Sequence, residues 1–455
     1  MVQRQSAEAD HSRRSAVPEL TLRAPLPSRR ACRPALALAI LLASARAHAN
    51  GAFPDSLSIF VPGDRPSEIV LATNFGLITT TDAGLTWDWA CEHGAGYLGA
   101  MYQRAAPPSQ RLFAVAPAGL VFSDDAACSW SVASDLQQTT VVDAFADPVN
   151  PARVLALAAF IDPDGQARNG LFISTDGGTT FGAPAHVSPP DTTLASVEVS
   201  AANPARMYMT SYTSVGTFAS HLLRSDDAGA TWTNSDITAM TGGRVARIAA
   251  VDPADPQKLY LRLTGDDDAI AVSSDGGATI RVPLVVGAGV RLTALLRRAN
   301  GQVLVSALDV VNGALYRSTD GGESFVRMPS TLSIRAMAER SGTIYAAADY
   351  FADGFALGVS RDDGLSFQPL MTLDQVAGTR TCGNLTSTCA PTCDMLVALN
   401  VFKASTCRGT PGAGDGGMPR PAAAGCGCGV GVAATPGLGL AALLLIIGRA
   451  RRRRP

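Results

Sequence analysis

An eight-residue phrase, Ser/Thr-x-Asp-x-Gly-x-Thr/Ser followed by an aromatic residue, recurs along this chain of 455 residues and limits what it can fold into. The second copy has alanine in place of the glycine, and the fifth copy ends in isoleucine. The copies are TTDAGLTW at 80–87, SDDAACSW at 123–130, STDGGTTF at 174–181, SDDAGATW at 225–232, SSDGGATI at 273–280, STDGGESF at 318–325 and SRDDGLSF at 360–367.

Each copy lies between two short apolar runs, so it is typical of a turn from one strand into the next. Its aspartate can accept hydrogen bonds from backbone N–H groups, its glycine tolerates positive φ, and its aromatic residue is expected in the core between sheets. Seven equivalent aspartates cannot form one active site, so we interpret the phrase, named here the Asp turn, as a folding device. The central aspartates are Asp82, Asp125, Asp176, Asp227, Asp275, Asp320 and Asp362.

The spacing of the Asp turns predicts the fold. Successive aspartates are 43, 51, 51, 48, 45 and 42 residues apart, which is the repeat length of a four-stranded propeller blade. A second phrase recurs between the copies, as in ADPVNPARVLAL at 146–157, and its prolines favour a turn because proline cannot donate to a strand ladder. The sequence therefore predicts an all-β fold, a seven-bladed β-propeller of four-stranded antiparallel blades at 50–375.

The Asp turns resemble the Asp-box (BNR) repeats of sialidases, sortilin-type receptor ectodomains, xyloglucan-degrading endoglucanases and the photosystem assembly factor of chloroplasts and cyanobacteria. The resemblance covers about 320 of the 455 residues. It implies a propeller and leaves the function open, because these families include hydrolases, receptors and assembly factors.

Two features argue against the enzymes of these families. The phrase nearest to a sialidase Arg-Ile-Pro motif is Arg281-Val282-Pro283, which falls on an expected outer strand. Glu198 falls on an expected strand, which argues against a role in a sialidase site. Glu92 and the nearby Tyr97 are the one pair that could match the Tyr–Glu nucleophile of a sialidase. Xyloglucanases resemble two facing propellers, whereas this chain supplies one.

The first 49 residues predict an export signal. Arg29, Arg30 and Arg33 precede the apolar run ALALAILLASA, and the small residues around His48 offer a cleavage site after Ala49.

The other end predicts a sorting tail. Residues 411–425 have the composition of a linker, and residues 426–455 carry Cys426 and Cys428, an apolar stretch at 430–448 and a terminal arginine cluster. At about 1.5 Å per residue the apolar stretch measures roughly 28 Å, just enough to cross a membrane as a helix. The tail resembles the myxobacterial sorting tail MYXO-CTERM. That resemblance implies a transient anchor processed near Cys426 or Cys428 by sorting machinery, and a protein on the surface or outer membrane of a Gram-negative bacterium or outside it.

The net charge argues against polyanionic partners. Without the export signal and the terminal arginines, 24 basic residues stand against 36 acidic residues, a net charge of −12. Nucleic acid and anionic membrane surfaces are therefore not expected to bind the body of the protein.

Cysteine usage agrees with export. Cys382, Cys389, Cys393 and Cys407 lie in a short module at 376–410, and four close cysteines in an exported chain predict two disulfides inside the module, with three connectivities open. Zinc is the alternative, although no histidine lies nearby. Cys91 and Cys128, in neighbouring blades, could pair with each other.

Turns alternate between the two faces of a propeller, so the loops between second and third strands open opposite the Asp turns. We name this side the loop face. Ligands usually bind where loops vary, and carboxylates are concentrated in these loops. The candidate site residues are Asp162, Asp164, Asp266, Asp267, Asp268, Asp349 and Asp353, with Asp309, Asn312, Tyr350 and the 210–221 segment beside them.

Three interpretations of these carboxylates stay open. Two of them could act as the acid and base of a glycosidase, several could hold calcium, or they are solvated loop residues. No other metal or cofactor is predicted. We therefore predict an exported, surface-associated propeller that binds a glycan or protein ligand without catalysis, and the alternative is a glycoside hydrolase that uses the acidic loops.

Overall fold

Seven antiparallel sheets of four consecutive strands each form the blades of a β-propeller, which confirms the predicted architecture. The computed structural model describes residues 56–92, 101–213, 215–309, 312–383 and 385–408. The first strands of the blades pack beside one another around a central channel, and each blade then runs outwards in chain order.

The strands of blades 1 to 3 begin and end as follows. Blade 1 comprises β1 Ser56–Phe60, β2 Ile69–Thr73, β3 Gly76–Thr80 and β4 Trp87–Cys91. Blade 2 comprises β5 Tyr102–Arg104, β6 Leu112–Ala116, β7 Gly119–Ser123 and β8 Ser131–Val132. Blade 3 comprises β9 Val141–Ala146, β10 Val154–Ile161, β11 Ala167–Ser174 and β12 His186–Val187.

Blades 4 to 7 repeat this order. Blade 4 comprises β13 Thr192–Val199, β14 Met207–Thr213, β15 Ala219–Ser225 and β16 Thr233–Asp236. Blade 5 comprises β17 Val245–Val251, β18 Leu259–Thr264, β19 Ala269–Ser273 and β20 Arg281–Val285. Blade 6 comprises β21 Arg291–Arg297, β22 Val303–Leu308, β23 Gly313–Ser318 and β24 Val326–Arg327. Blade 7 comprises β25 Ile334–Arg340, β26 Thr343–Ala348, β27 Leu357–Ser360 and β28 Gln368–Met371.

Short helices and a final strand complete the described residues. They are α1 Thr238–Thr241, α2 Tyr350–Asp353, a 3-10 turn Leu373–Gln375, β29 Val376–Thr379, α3 Leu385–Ala398 and a 3-10 turn Thr406–Arg408.

The Asp turns share one set of hydrogen bonds, shown here for blade 3. Ser174 Oγ donates to Asp176 Oδ1 at 2.7 Å, Thr180 N donates to the same oxygen at 3.0 Å, and Thr180 Oγ1 donates to Oδ2 at 2.7 Å. Equivalent bonds form in the other six copies. These donors favour the ionised carboxylate. Hydrogen bonds from Thr86, for example, lower the pKa of Asp82 to about 2.

The last residue of each Asp turn packs into the hydrophobic core, as predicted. Trp87 and Phe181 are buried, and the residue at the same position in the other copies is half-buried against a core cluster. These clusters lie between neighbouring blades, so the turn that reverses each blade also supplies a contact with the preceding blade, as Trp232 of blade 4 does with blade 3.

Polar side chains connect the blades on the face that carries the Asp turns. We name the connections between first and second strands the inner turns. The Asp turn of blade 3 touches the inner turn of the same blade, since Gly177 N donates to Ala152 O at 2.7 Å. The bonds between blades include Arg111 Nη1 to Gly177 O, Arg153 Nη2 to Pro204 O, Tyr208 OH to Pro256 O and Tyr260 OH to Gly321 O.

Arginine also closes the ring. Arg340 Nη1 of blade 7 donates to Glu68 O of blade 1 at 2.8 Å. The Glu68 carboxylate accepts from Arg104 of blade 2 at 2.8 Å. Blades 7, 1 and 2 are therefore joined through one inner turn.

The C-terminal module is attached to blade 1. Strand β29 pairs in parallel with β4, outside the four strands of that blade. Phe402 packs edge-on against Trp89 with ring centroids 5.2 Å apart. Arg380 Nη1 donates to Ala126 O in the Asp turn of blade 2 at 2.7 Å.

The four module cysteines form disulfides, but the predicted pairing was wrong. Only Cys393–Cys407 lies inside the module. Cys389 bonds to Cys91 and Cys382 bonds to Cys128, so Cys91 and Cys128 do not pair with each other, and zinc has no free thiolate there. The physical reason is the parallel pairing of β29 with β4, which carries the module to the outer edge of blade 1.

Several predicted segments lie outside the described residues. They are the export signal at 1–49 with Ala49, the linker at 411–425, and the tail at 426–455 with Cys426, Cys428 and the span at 430–448. Within the described ranges, no helix has both the length and the apolar character that a membrane crossing requires.

We predict that replacing both Cys91 and Cys389 by alanine lowers the melting temperature more than replacing Cys393 and Cys407. The first bond joins residues 298 positions apart and the second residues 14 positions apart, and removing a native disulfide costs roughly 2–5 kcal/mol, with more for longer loops. Thermal unfolding measures the difference. Non-reducing peptide mapping is the control, and a peptide linking Cys91 to Cys128 would contradict this pairing.

Candidate functional site

The loop face carries every predicted site residue, because the loops after β10, β18 and β26 all open away from the Asp turns. The structure holds these carboxylates in separate local arrangements.

In blade 3, Asp162 organises its own turn. Its Oδ1 accepts from Gln166 N at 2.7 Å and Asp164 N at 3.0 Å, and its Oδ2 accepts from Arg168 Nε at 3.0 Å. The hydrogen bond from Gln166 N is the main cause of the lowered pKa of Asp162. The side chain of Asp164 is exposed.

In blade 5, the three consecutive aspartates have different environments. Asp266 is exposed, and Asp267 accepts from Arg244 Nη2 at 2.7 Å, which lowers the pKa of Asp267. Asp268 is fully buried and accepts from Arg262 Nη2 at 2.9 Å and Arg291 Nη1 at 2.8 Å. Since Arg291 belongs to β21, Asp268 joins blade 5 to blade 6.

In blade 7, both candidates shape the loop that contains α2. Asp349 caps this helix by accepting from Phe351 N at 3.0 Å and Ala352 N at 3.1 Å, and it pairs with Arg335 Nη2 at 3.1 Å. Asp353 accepts from Ser333 N at 2.9 Å, and burial raises the pKa of Asp353. The neighbouring Asp309 of blade 6 likewise accepts from Asn312 N, at 2.6 Å.

A cavity of about 370 Å³ lies in the channel, with walls from the first strands of blades 2 to 6. Its polar lining includes Asp143, Glu198, Arg247 and Arg262, and its apolar lining includes Phe145 among others. Sequence reasoning did not select Asp143 and placed Glu198 only on a strand. An acidic residue inside an otherwise apolar innermost strand, as in VVDAFA, is the signal that identifies such positions.

The two channel carboxylates accept hydrogen bonds from N–H groups on the innermost strand of the next blade. Asp143 Oδ2 accepts from Val197 N, and Glu198 Oε2 accepts from Val251 N, each at 3.0 Å. Innermost strands expose N–H groups that no further strand can pair, so a carboxylate from the preceding blade removes an unpaired donor.

Burial raises the pKa of both groups above the ordinary value for a carboxylic acid. Both side chains are half-buried, and atoms of the channel wall surround them. Burial raises the pKa of Glu198 to about 8, and the charge of Asp143 adds to the effect. Burial raises the pKa of Asp143 to about 6, against the opposing charge of Arg247. Glu198 therefore keeps its proton to a higher pH than Asp143 does.

The acidic loop of blade 5 is connected to this cavity through Arg262. Arg262 lines the cavity and is held by buried Asp268. Leu292 N, also from the cavity wall, donates to the same carboxylate at 3.0 Å. Of the predicted candidates, Asp268 is thus placed to position a cavity residue.

The two groups that were compared with a sialidase site lie on or beside outer strands, away from the channel cavity. Arg281-Val282-Pro283 starts β20, an outer strand as predicted, and Arg281 pairs with Glu323 of an Asp turn. Glu92 is buried at the end of β4, and Tyr97 lies outside the described residues. Among the described residues, no group of three or more His, Cys, Asp or Glu side chains could hold a metal ion.

Solved structures similar to this chain are propeller proteins with different functions. The GH74 enzyme of Niastella koreensis is 14% identical, with a TM-score of 0.41 over 69% of this chain and 65% of that enzyme, so the chain covers less than two thirds of its length. YCF48 from Cyanidioschyzon merolae is 14% identical, with a TM-score of 0.47 over 67% of this chain and 94% of that protein. The BP39L lectin of Burkholderia pseudomallei is 13% identical, with a TM-score of 0.45 over 69% of this chain and 98% of the lectin.

No protein-family model matches the chain, and no curated protein matches it. Identities this low concern the fold alone.

We predict that Glu198→Gln stabilises the protein at pH 8 and has little effect at pH 4.5. Between the ordinary pKa of 4.5 and the folded pKa of about 8, the folded state keeps a proton that the unfolded chain releases. Stability of the native protein therefore falls as pH rises through this window, and glutamine removes the penalty. Melting temperatures of both proteins across this pH range test the prediction, with Glu323→Gln as a surface control. A difference in melting temperature that does not change with pH would contradict it.

Proposed function

We propose that this chain is an exported, surface-associated propeller that binds a glycan or protein ligand without catalysis. The observation that carries the proposal is the channel cavity of about 370 Å³, which combines apolar walls with a few fixed polar groups. Ligand sites have this composition, and rings of loops around a channel are suited to present it.

The state of the loop carboxylates favours binding over hydrolysis. Asp162 and Asp267 have lowered pKa values, so they remain charged and cannot donate a proton at neutral pH. Asp268 is buried in ion pairs with Arg262 and Arg291. The exposed carboxylates of the same loops, Asp164 and Asp266, make an acidic rim, which suits recognition of a neutral or cationic surface.

A glycoside hydrolase is the second candidate, and one observation favours it. Asp143 and Glu198 share the channel cavity, and their pKa values of about 6 and about 8 are separated, so Glu198 holds its proton to a higher pH than Asp143. Glycosidases use such a division between a general acid and a base or nucleophile.

The compartment is part of the proposal. Three disulfides suit an oxidising environment outside the cytoplasm. We propose that residues 1–49 direct export with cleavage after Ala49. We further propose that the tail at 426–455 anchors the chain through 430–448 until processing near Cys426 or Cys428.

We predict that the protein binds a ligand on a glycan or protein array and that Asp164→Asn combined with Asp266→Asn weakens binding by about tenfold or more. Both side chains are exposed on the loop face, so the changes alter ligand contacts and leave the fold intact. Asp255→Asn, exposed on the opposite face, is the matched control and should bind as the native protein does.

The same preparation separates the two functions. Incubation with the protein should release no reducing ends from any polysaccharide. Turnover that is lost in Asp143→Asn or Glu198→Gln would overturn the non-catalytic proposal and support the hydrolase.

We predict that a membrane-impermeant label on intact cells reaches the protein. The mass of the mature protein should correspond to a chain that begins at Asn50 and ends near Cys426 or Cys428. Replacing both cysteines by alanine should leave the tail attached. Labelling only after cell lysis would contradict the proposed location.

A further inference from the structure

A second cavity, of about 310 Å³, lies between blades 3 and 4. Three of its lining residues lie towards the loop-face ends of their strands: Thr192 begins β13, Ser211 is near the end of β14, and His221 is near the start of β15. Another lining residue, Trp232, ends the Asp turn of blade 4. The cavity therefore extends between the two blades from the loop-face side towards the Asp turn of blade 4. None of its residues lines the channel cavity, whose β13 wall begins at Ala195.

One wall is a single face of the blade 4 sheet. Ser211 pairs with His221, and Leu223 pairs with Asn234. His221 and Leu223 are two residues apart, and side chains alternate along a strand, so all four lie on the same face. Trp232, two residues before Asn234, contributes to the same wall.

The opposite wall comes from the outer strand of blade 3 and the connection that follows it. His186 and Val187 form β12, and Pro189 lies in the connection to β13. The rings of His186 and Trp232 lie 5.9 Å apart between centroids and are inclined by 58°. Trp232 Nε1 donates to Gly229 O at 3.1 Å, so its polar group is satisfied and the indole contributes apolar ring surface.

The polar groups of the cavity are imidazole, hydroxyl and amide groups. No Asp, Glu, Lys or Arg is among the described residues that line it. Burial lowers the pKa of His186, which keeps that imidazole neutral, and its Nε2 has no hydrogen-bond partner within the described structure. The Asn234 amide is exposed at the rim, and Ser211 lies at the buried floor.

This lining matches one ligand chemistry. No Arg, Lys, Asp or Glu side chain of the described lining is available to pair with a charged ligand. A pyranose ring presents C–H groups that pack on an aromatic face and hydroxyl groups that exchange hydrogen bonds with imidazole and amide groups. A pocket of this volume is at the lower end of the range for small-molecule sites, as one sugar ring requires.

We propose that the cavity between blades 3 and 4 binds one neutral sugar ring of a glycan. The inference rests on the proposed function for the class of ligand, and it places a site at residues separate from Asp143, Glu198 and the acidic rim.

Tryptophan fluorescence of the full-length protein tests the proposal. The probes are D-glucose, D-galactose, D-mannose, L-fucose and N-acetyl-D-glucosamine, each titrated to about 100 mM, since single-ring ligands bind weakly. At least one of them should give a saturable change, because Trp232 lines the cavity. Trp232→Phe should abolish that change and weaken the affinity measured by calorimetry roughly tenfold, and Asn234→Ala should weaken it at least about threefold.

The chain provides a matched control. Phenylalanine occupies the same position of the Asp turn at 181, 325 and 367, so Trp232→Phe is compatible with the turn. Trp130→Phe makes the same change in the Asp turn of blade 2, at a residue that is also half-buried. It should leave sugar affinity unchanged.

The outcomes separate this inference from the proposed function. No saturable response to any probe, or equal loss in the Trp130 and Trp232 variants, overturns the sugar site. If glycan-array binding then persists and depends on Asp164 and Asp266, the proposed function stands without this site. If monosaccharides bind at Trp232 while the Asp164 and Asp266 changes leave binding on the array unaltered, the cavity is the binding site and the acidic rim is not.

Discussion

The hydrogen bonds of the Asp turn are the interaction on which the rest of the propeller depends. Each central carboxylate joins the hydroxyl that ends the third strand to the hydroxyl and amide of the seventh residue of the Asp turn. This arrangement fixes the reversal and directs the following aromatic residue between two blades. A blade without it would lose both its outer strand and a contact with the preceding blade. Repetition of this local device, rather than any long-range sequence signal, therefore builds the ring.

Much of the fold could be predicted from the sequence for this reason. The Asp turn is local, so seven copies gave the number of blades, and the phrase at 146–157 placed the first two strands of blade 3 where the structure has β9 and β10. Cysteine pairing could not be predicted in the same way. Cys128 and Cys382 are 254 residues apart, and their proximity depends on the parallel addition of β29 to blade 1. No local pattern specifies that addition.

The candidate site was predicted only in outline. The acidic loops lie on one face as expected, but their partners, such as Arg291 for Asp268 or Ser333 for Asp353, come from other parts of the chain and decide which carboxylates are exposed. The channel carboxylates required a different consideration. Innermost strands converge with unpaired N–H groups, so Asp143 and Glu198 have a structural reason to be there whether or not they also meet a ligand. The wall that contains Trp232 depends on strand register, which composition does not reveal.

The two disulfides between the module and the first blades have a consequence for damage to the protein. Cys91 and Cys128 lie before five of the blades, and Cys382 and Cys389 lie after them. A protease that cuts one loop anywhere between residues 128 and 382 produces two pieces that both bonds still hold together. Re-association of a displaced blade is then an intramolecular event at high effective concentration. A propeller exposed to extracellular proteases would thus remain one molecule after a single cut, and only reduction would release its parts.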